Sequence, residues 1–349
     1  SLSPSNGFTS GSMQEGMSYE VCGVSPDAIV ASLDGNGASA DLITYWIGYN
    51  ATYLNSYMQY YGGGALDWDY VMSDGTAMPD YIKQDVLATV KQELLIENLA
   101  KKYGVTLTDE QRAAIESEEQ SFIEQYGSEE AFEEELAKLG LRRETYERIT
   151  SANYLYQNLY KLYLTEGSAL YASNEDLAAY AAAQGYITAD HILLTTVDTA
   201  TGEALSDEAI AEKKALAEEL AEKLKNYTGD DLASYFAELA DEYSEDPGRA
   251  SNPSGYTFTT GSMVQEFEDA AYALDEGAVS DIVESRFGYH ILLRLPLDKT
   301  AAAETVREDY FSNFIDEQMD KAKTATSAEY DKLDAKALYE AIVAAQAEG

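Results

Sequence analysis

Apolar positions change their period twice along this 349-residue chain. Over residues 24–168 they recur every three to four residues, as on helices with one buried face. Between Tyr81 and Tyr103, Val86, Val90 and Leu94 stand at i, i+4 and i+8, Leu95 and Leu99 fill an adjoining row, and Gly104 stops the pattern. Thr108-Asp109-Glu110-Gln111 has the spacing of a capping box and opens the next helix. Ser128 starts a short helix to Leu139, which Gly140 ends. Arg142–Thr165 then sets Ile149, Tyr156, Leu159, Tyr160 and Tyr163 on one broad face. Upstream, Ser39–Tyr61 is an aromatic-rich helix between the turn cluster Asp34-Gly35-Asn36-Gly37 and Gly62-Gly63-Gly64. Gly167 closes the region, and Asn174 is expected to cap a connecting helix to about Ala183.

From Tyr186 the period shortens. Tyr186–Thr195 is a continuous apolar run of strand length. Helices follow from Ser206-Asp207, with Leu216, Leu220 and Leu224 four apart, and over Asp230–Tyr243, with Leu232, Phe236, Leu239 and Tyr243. After a Pro/Gly/Ser/Asn loop at Asp246–Gly255 come short strands near Tyr256–Phe258, Val279–Glu284 and His290–Leu295, with a helix at Gln265–Leu274. Pro296 marks the exit. Residues 300–349 return to the helical period, with Val306, Tyr310 and Phe314 at i, i+4 and i+8. A stripe of that kind does not stay folded alone, and the N-terminal helices are the expected partner. The pattern predicts an α+β chain: a flexible start over 1–23, a helical segment over 24–185, a mixed domain with a four-stranded sheet over 186–297, and a helical segment over 298–349 that packs on the N-terminal one.

Composition narrows the chemistry. Hydrophobic residues make up 45%, and 23 Lys and Arg face 63 Asp and Glu, a formal net charge of −40. Such a surface repels nucleic acid and anionic lipid. It draws basic clients or cations, over only about 8 Å at physiological salt. No apolar run approaches the roughly 18 residues of a membrane span. The sequence opens at Ser1 without Met, and Ser1–Gly23 is rich in Ser, Gly and Met, like the start of a mature or trimmed protein; a lipid anchor upstream would leave no trace here. Cys22, the single cysteine, excludes an internal disulfide and follows residues too polar for a lipid-attachment box. With two histidines and one cysteine no zinc set can be assembled. The Asp34 turn cluster carries Ala38 and Tyr45 where a calcium loop needs oxygen ligands. Gly62-Gly63-Gly64 lacks the strand and lysine of a phosphate loop. No cofactor and no metal are expected.

The two histidines fall in Ala189-Asp190-His191-Ile192-Leu193-Leu194 and Phe287-Gly288-Tyr289-His290-Ile291-Leu292-Leu293. Between them lie Tyr243-Ser244-Glu245-Asp246 and the run from Phe258 through Met263 and Phe267 to Ala271. This ordered set resembles the parvulin-type prolyl isomerases over about residues 186–297. With the flanking helices, the whole architecture resembles extracytoplasmic foldases of the PrsA and SurA type, in which a parvulin domain is inserted into a helical chaperone lobe made of N- and C-terminal segments. The resemblance implies a secreted or surface-anchored foldase that combines prolyl isomerisation with holding of unfolded exported polypeptides. Its alternatives are a catalytically silent holding chaperone or a surface binding protein. It implies that Met263 and Phe267, on one helical face, wall a proline pocket that Phe258 completes. It implies further that His191 and His290 are the paired histidines, that Ser285 supplies a hydroxyl to that pair, and that Asp246 is a carboxylate beside the imide. The chain departs from the family at Asn252-Pro253-Ser254-Gly255, where a paired-glycine turn is usual. The loop Thr195-Thr196-Val197-Asp198-Thr199 has no Arg or Lys, so no need for phosphorylated substrate is expected.

Overall fold

The computed structural model describes residues 7–348. It divides into two compact units, one made of residues up to Tyr171 together with those from Asn313 on, the other of Ala172–Ser312. Residues 1–6 of the expected flexible start lie outside the described residues. From residue 7 the chain is tied down: the Asp27 carboxylate accepts from the Ser12 and Met13 amides at 3.0 and 3.2 Å, and a short helix α1 (Met17–Cys22) follows. Cys22 is a free, half-buried thiol.

The first unit is not wholly helical. Strands β1 (Ile29–Leu33) and β2 (Asn36–Ser39) form a hairpin with Leu33 opposite Asn36. Its two central residues, Asp34 and Gly35, have φ of 47° and 84°. Positive φ at both positions is the turn geometry that matches strand twist, and Asp-Gly is a preferred pair for it. The turn cluster was legible; the strands beside it, four and five residues long and largely buried, are too short for an alternation to register. Helix α2 (Ala40–Tyr57) runs into a π-helical turn at Met58–Gly62, and α3 (Met78–Tyr103) starts with Pro79 in its first turn. The α3 stripe Val86, Val90, Leu94, Leu95 and Leu99 is buried throughout. Helix α4 (Asp109–Tyr126) opens on the capping box at Thr108 and Gln111, and α5 (Glu129–Lys138) on Ser128. Helix α6 (Arg143–Tyr163) buries Leu159 and Tyr163. Buried Asp41 accepts from the Arg142 amide and guanidinium, both at 3.1 Å, which ties the start of α6 to α2.

The second unit begins with α7 (Asn174–Ala183), capped by Ser173 in a reciprocal box with Asp176 rather than by Asn174. Then come β3 (Ile187–Thr195), α8 (Asp207–Lys225), α9 (Leu232–Tyr243), β4 (Tyr256–Phe258), α10 (Gln265–Ala273), β5 (Val283–Ser285) and β6 (Gly288–Leu295). The expected strand at Val279–Glu284 is reduced to β5 and a single bridge from Val279 to Leu293. The four strands form one antiparallel sheet in the order β4-β3-β6-β5. Ile192, Leu194, Tyr289, Ile291 and Leu293 pack under α8 and α9 with Leu220, Leu224 and Phe236. Ile187, Ala189 and Leu292 pack under α10 with Phe258, Phe267 and Ala271. Both faces are covered, so β3 is buried at every position, which is why it reads as an unbroken apolar run.

The chain then enters α11 (Lys299–Lys321), which the division into units crosses after Ser312. It closes with β7 (Thr324–Thr326), α12 (Ala328–Asp331) and α13 (Ala335–Ala347). Strand β7 pairs antiparallel with β1, giving the sheet β2-β1-β7, and α13 lies against α2, with Ile342 over Gly48. The architecture is a mixed α+β chain whose first unit is assembled from both ends of the sequence, with the sheet unit inserted between.

Candidate active site

In the β3–β6 register His191 stands opposite Leu292 and Leu193 opposite His290. The two histidines are therefore diagonal neighbours on the sheet face beneath α10. Their rings lie 14° from parallel, with the Nδ1 atoms 3.2 Å apart. His191 Nε2 is 3.0 Å from Asp246 Oδ2, which also accepts from the Tyr256 hydroxyl at 2.6 Å, and Asp246 Oδ1 accepts from the Gly248 amide at 3.1 Å. At the far end His290 Nε2 is 2.6 Å from Ser285 Oγ, to which the Phe287 amide donates at 3.1 Å.

The backbone places Asp246 deliberately. After α9 the segment Ser244–Asp246 runs along β3: Glu245 donates its amide to the Leu193 carbonyl at 2.7 Å, and the Leu193 amide donates to Ser244 Oγ at 3.1 Å. The Glu245 carboxylate accepts from the Thr195 amide and pairs with Lys213. Beyond it Arg249 clamps the loop, donating to buried Asp190 at 2.6 Å and to Asp241 at 2.9 Å. Gly255 has φ 94°, and a Cβ there would meet the Ala189 carbonyl oxygen at 2.8 Å. In this turn, where the resembled family usually has a glycine pair, Gly255 alone permits the close approach to β3.

Proton positions follow from the partners. Burial, and then the neighbouring His191 ring, push His290 down to about 4, so it is neutral near pH 7. Burial acts to raise the Asp246 carboxyl, but its bonds from His191, Tyr256 and Gly248 outweigh this and hold it at about 2. An ionised Asp246 needs the His191 proton on Nε2; in the neutral tautomer of that ring, Nδ1 is then free to accept from His290 Nδ1–H. His290 Nε2 then accepts from the Ser285 hydroxyl. One directed chain of hydrogen bonds runs from Ser285 to Asp246, with Tyr256 donating at its end; burial first, then that bond, raise the Tyr256 phenol.

Above this chain opens a cavity of about 710 Å³ whose wall includes His191, Asp246, Tyr256, Met263, Phe267 and His290. Met263 and Phe267 meet there, though not as neighbours on one helix. Helix α10 begins at Gln265, and Met263 sits in the preceding loop, held by its amide's 2.9 Å bond to Glu268. Phe258 is buried behind Phe267, 5.6 Å between ring centres, rather than on the wall. Ser285 reaches the site through His290. Tyr256 escaped the sequence reading; its signal was the alternation of β4, which puts it on the face of Phe258. Arg286 and Phe287, from the β5–β6 turn, complete the rim. Among the described residues no set of three or more His, Cys, Asp or Glu side chains is arranged to hold a metal ion.

A sheet with paired histidines under an apolar-walled cavity defines a class, and the comparisons agree with it. Residues 191–295 match the family model for the rotamase, PPIC-type PPIase domain, and this stretch is a parvulin-type peptidyl-prolyl isomerase domain. Relatives include the foldase protein PrsA of Geobacillus sp. (strain WCH70), 38% identical over 34% of this chain and 43% of its own length, and the chaperone SurA of Chromohalobacter salexigens, 35% identical over 31% and 25%. In these alignments the chain spans less than half the length of the relatives it matches. A crystal structure of the peptidylprolyl isomerase PrsA from Bacillus anthracis aligns over 68% of this chain and 94% of its own at 24% identity, with a TM-score of 0.24.

Proposed function

We propose that the chain is an extracytoplasmic foldase whose sheet unit interconverts cis and trans X–Pro bonds in unfolded or partly folded polypeptides. The observation that carries this is the continuous run of side-chain contacts Ser285–His290–His191–Asp246 lying beneath an apolar wall. Rotation about a peptide bond costs about 18–20 kcal/mol because conjugation must be broken, so a catalyst needs no nucleophile, only tighter binding of the twisted state. Met263 and Phe267 offer the proline ring a dry slot that strips water from the imide nitrogen. The ionised Asp246 and the fixed imidazoles present a preorganised field to the rotating carbonyl. Within this network Ser285 and His290 are positioning residues, and Phe258 backs the slot through Phe267.

Relatives that are a foldase and a chaperone support unfolded polypeptides as substrates and a holding role for the helical unit. Among the described residues no helix is long and apolar enough to cross a membrane. Among the described residues Arg286 is the only Lys or Arg on the cavity wall, which supports activity on unphosphorylated substrate. The test is the exchange rate of an unphosphorylated Ala-Pro peptide with the full chain, followed by NMR in the presence of a chelator. Acceleration is expected. A rate equal to the buffer blank on folded protein would leave only a holding role.

A further inference from the structure

The first unit carries an apolar feature that isomerisation does not use. On α2 and the π-helical turn that extends it, Tyr49, Tyr53, Tyr57, Tyr60 and Tyr61 are 58, 63, 50, 81 and 71% exposed. The first three recur every four residues and share one helix face. The π-helical turn continues the row: Tyr57 and Tyr61 have ring centres 4.8 Å apart, and Tyr60 and Tyr61 4.6 Å. Beside Tyr49 and Tyr53 opens a cavity of about 370 Å³ walled also by Tyr45, Gly48 and Ile342. Apolar residues scattered singly over a surface need no explanation, but a contiguous patch marks a place of binding.

The charge of the flanking sequence points to the ligand. The first Lys or Arg of the sequence is Lys83, so the row lies in a stretch with no cation at all, followed closely by Asp67, Asp69, Asp74 and Asp80. Cation–ring contacts elsewhere use Lys83, Lys102, Lys223 and Arg286 on other rings; among the described residues none falls on these five tyrosines. A tyrosine face attracts ammonium and guanidinium groups, and a chain of net charge −40 draws them while repelling anions.

We infer that the tyrosine row is a binding surface for lysine- and arginine-rich unfolded polypeptide, with cationic side chains laid on the rings and an apolar side chain taken into the adjoining cavity. This deepens the proposed function, resting on its holding role, and gives that role a substrate class. The full chain is titrated into a labelled, proline-free peptide alternating lysine with leucine and serine, which keeps the isomerase cavity out of the measurement; a second peptide carries glutamate for lysine. Binding of the lysine peptide alone is expected, weakened at least about tenfold in the triple variant Tyr53→Ser, Tyr57→Ser, Tyr61→Ser. The triple Tyr→Phe variant keeps the rings and should retain it. Circular dichroism and X–Pro turnover should be unchanged in both. Equal binding of the two peptides, full affinity in the serine variant, or displacement of the peptide by a neutral N-acetylglucosamine oligomer would overturn the inference. Absence of X–Pro turnover alongside the expected binding pattern would sink the isomerase reading and leave this one standing.

Discussion

His290 carries a stability signature that acidification exposes. In an unfolded chain an imidazole titrates near 6.5; in the fold, burial lowers His290 to about 4. Between those values the unfolded state holds a proton that the folded state refuses. Its contribution is fully present above pH 6.5, falls as the pH falls toward 4, and levels off below. The whole interval is worth about 3 kcal/mol at 1.36 kcal/mol per unit, and about 2.5 kcal/mol is lost by pH 4.5. Solvent screens little of this, since His290 is 3% exposed. Asp246 works in a lower window, between its ordinary value near 3.8 and about 2, so the two losses separate. Both tryptophans, Trp46 and Trp68, lie in the other unit, so the assay is hydrogen exchange of the full chain over Ile187–Thr195 and Gly288–Leu295. The His290→Gln variant keeps every carboxylate titration and loses this one. Opening free energy should drop between pH 7.5 and 4.5 by about 2.5 kcal/mol more in the parent than in the variant. Equal drops would refute the claim that a neutral, buried His290 is built into the sheet.

Three further outcomes are expected. Arg249→Met strands the carboxylate of buried Asp190 and should cost the sheet unit about 3–5 kcal/mol by the same exchange measurement; a cost below about 1 kcal/mol would mean that the clamp is idle. Phe267→Ala should lower X–Pro turnover more than Asp246→Ala, because the dry slot is the larger demand; folding must be checked by circular dichroism, since truncating a buried Phe costs about 3–5 kcal/mol, and the reverse order on folded variants would contradict the ranking. Ile342→Ala should destabilise the first unit by about 2–5 kcal/mol in a urea titration followed by tryptophan fluorescence, and an unchanged midpoint would mean that α13 does not hold α2.

What the sequence disclosed tracks what repeats or what is chemically rare. The α3 stripe, the caps at Thr108 and Ser128, and the buried run of β3 each rest on local spacing, so each was legible. The two histidines stood out because the chain has no others. The strands β1, β2 and β7 were not legible, because three to five residues are too few for a period, and β7 lies far along the chain from its partner β1. Met263 was placed on a helix by its spacing from Phe267, yet the Glu268 carboxylate, by accepting backbone amides before α10, holds it in a loop. Tyr256 and Arg249 were missed for a related reason: their partners, Asp246 and Asp190, are tertiary choices that no local pattern encodes.

The pairing of β7 with β1 also sets an order of completion. The Lys323 amide donates to Asp34 across a separation of 289 residues, so the unit begun first is finished last. As a chain emerges from its N-terminus, Ala172–Ser312 has all its strands while β1 still presents an open edge and the α2 face that Ile342 covers is bare. Open edges and uncovered apolar faces are where partly made proteins associate wrongly. Early folding of the inserted unit would shorten that exposure, because a compact body of 141 residues would replace a coil whose closure entropy grows with its length. For this chain, the speed with which the sheet unit folds is thus also a protection for the unit that surrounds it in sequence.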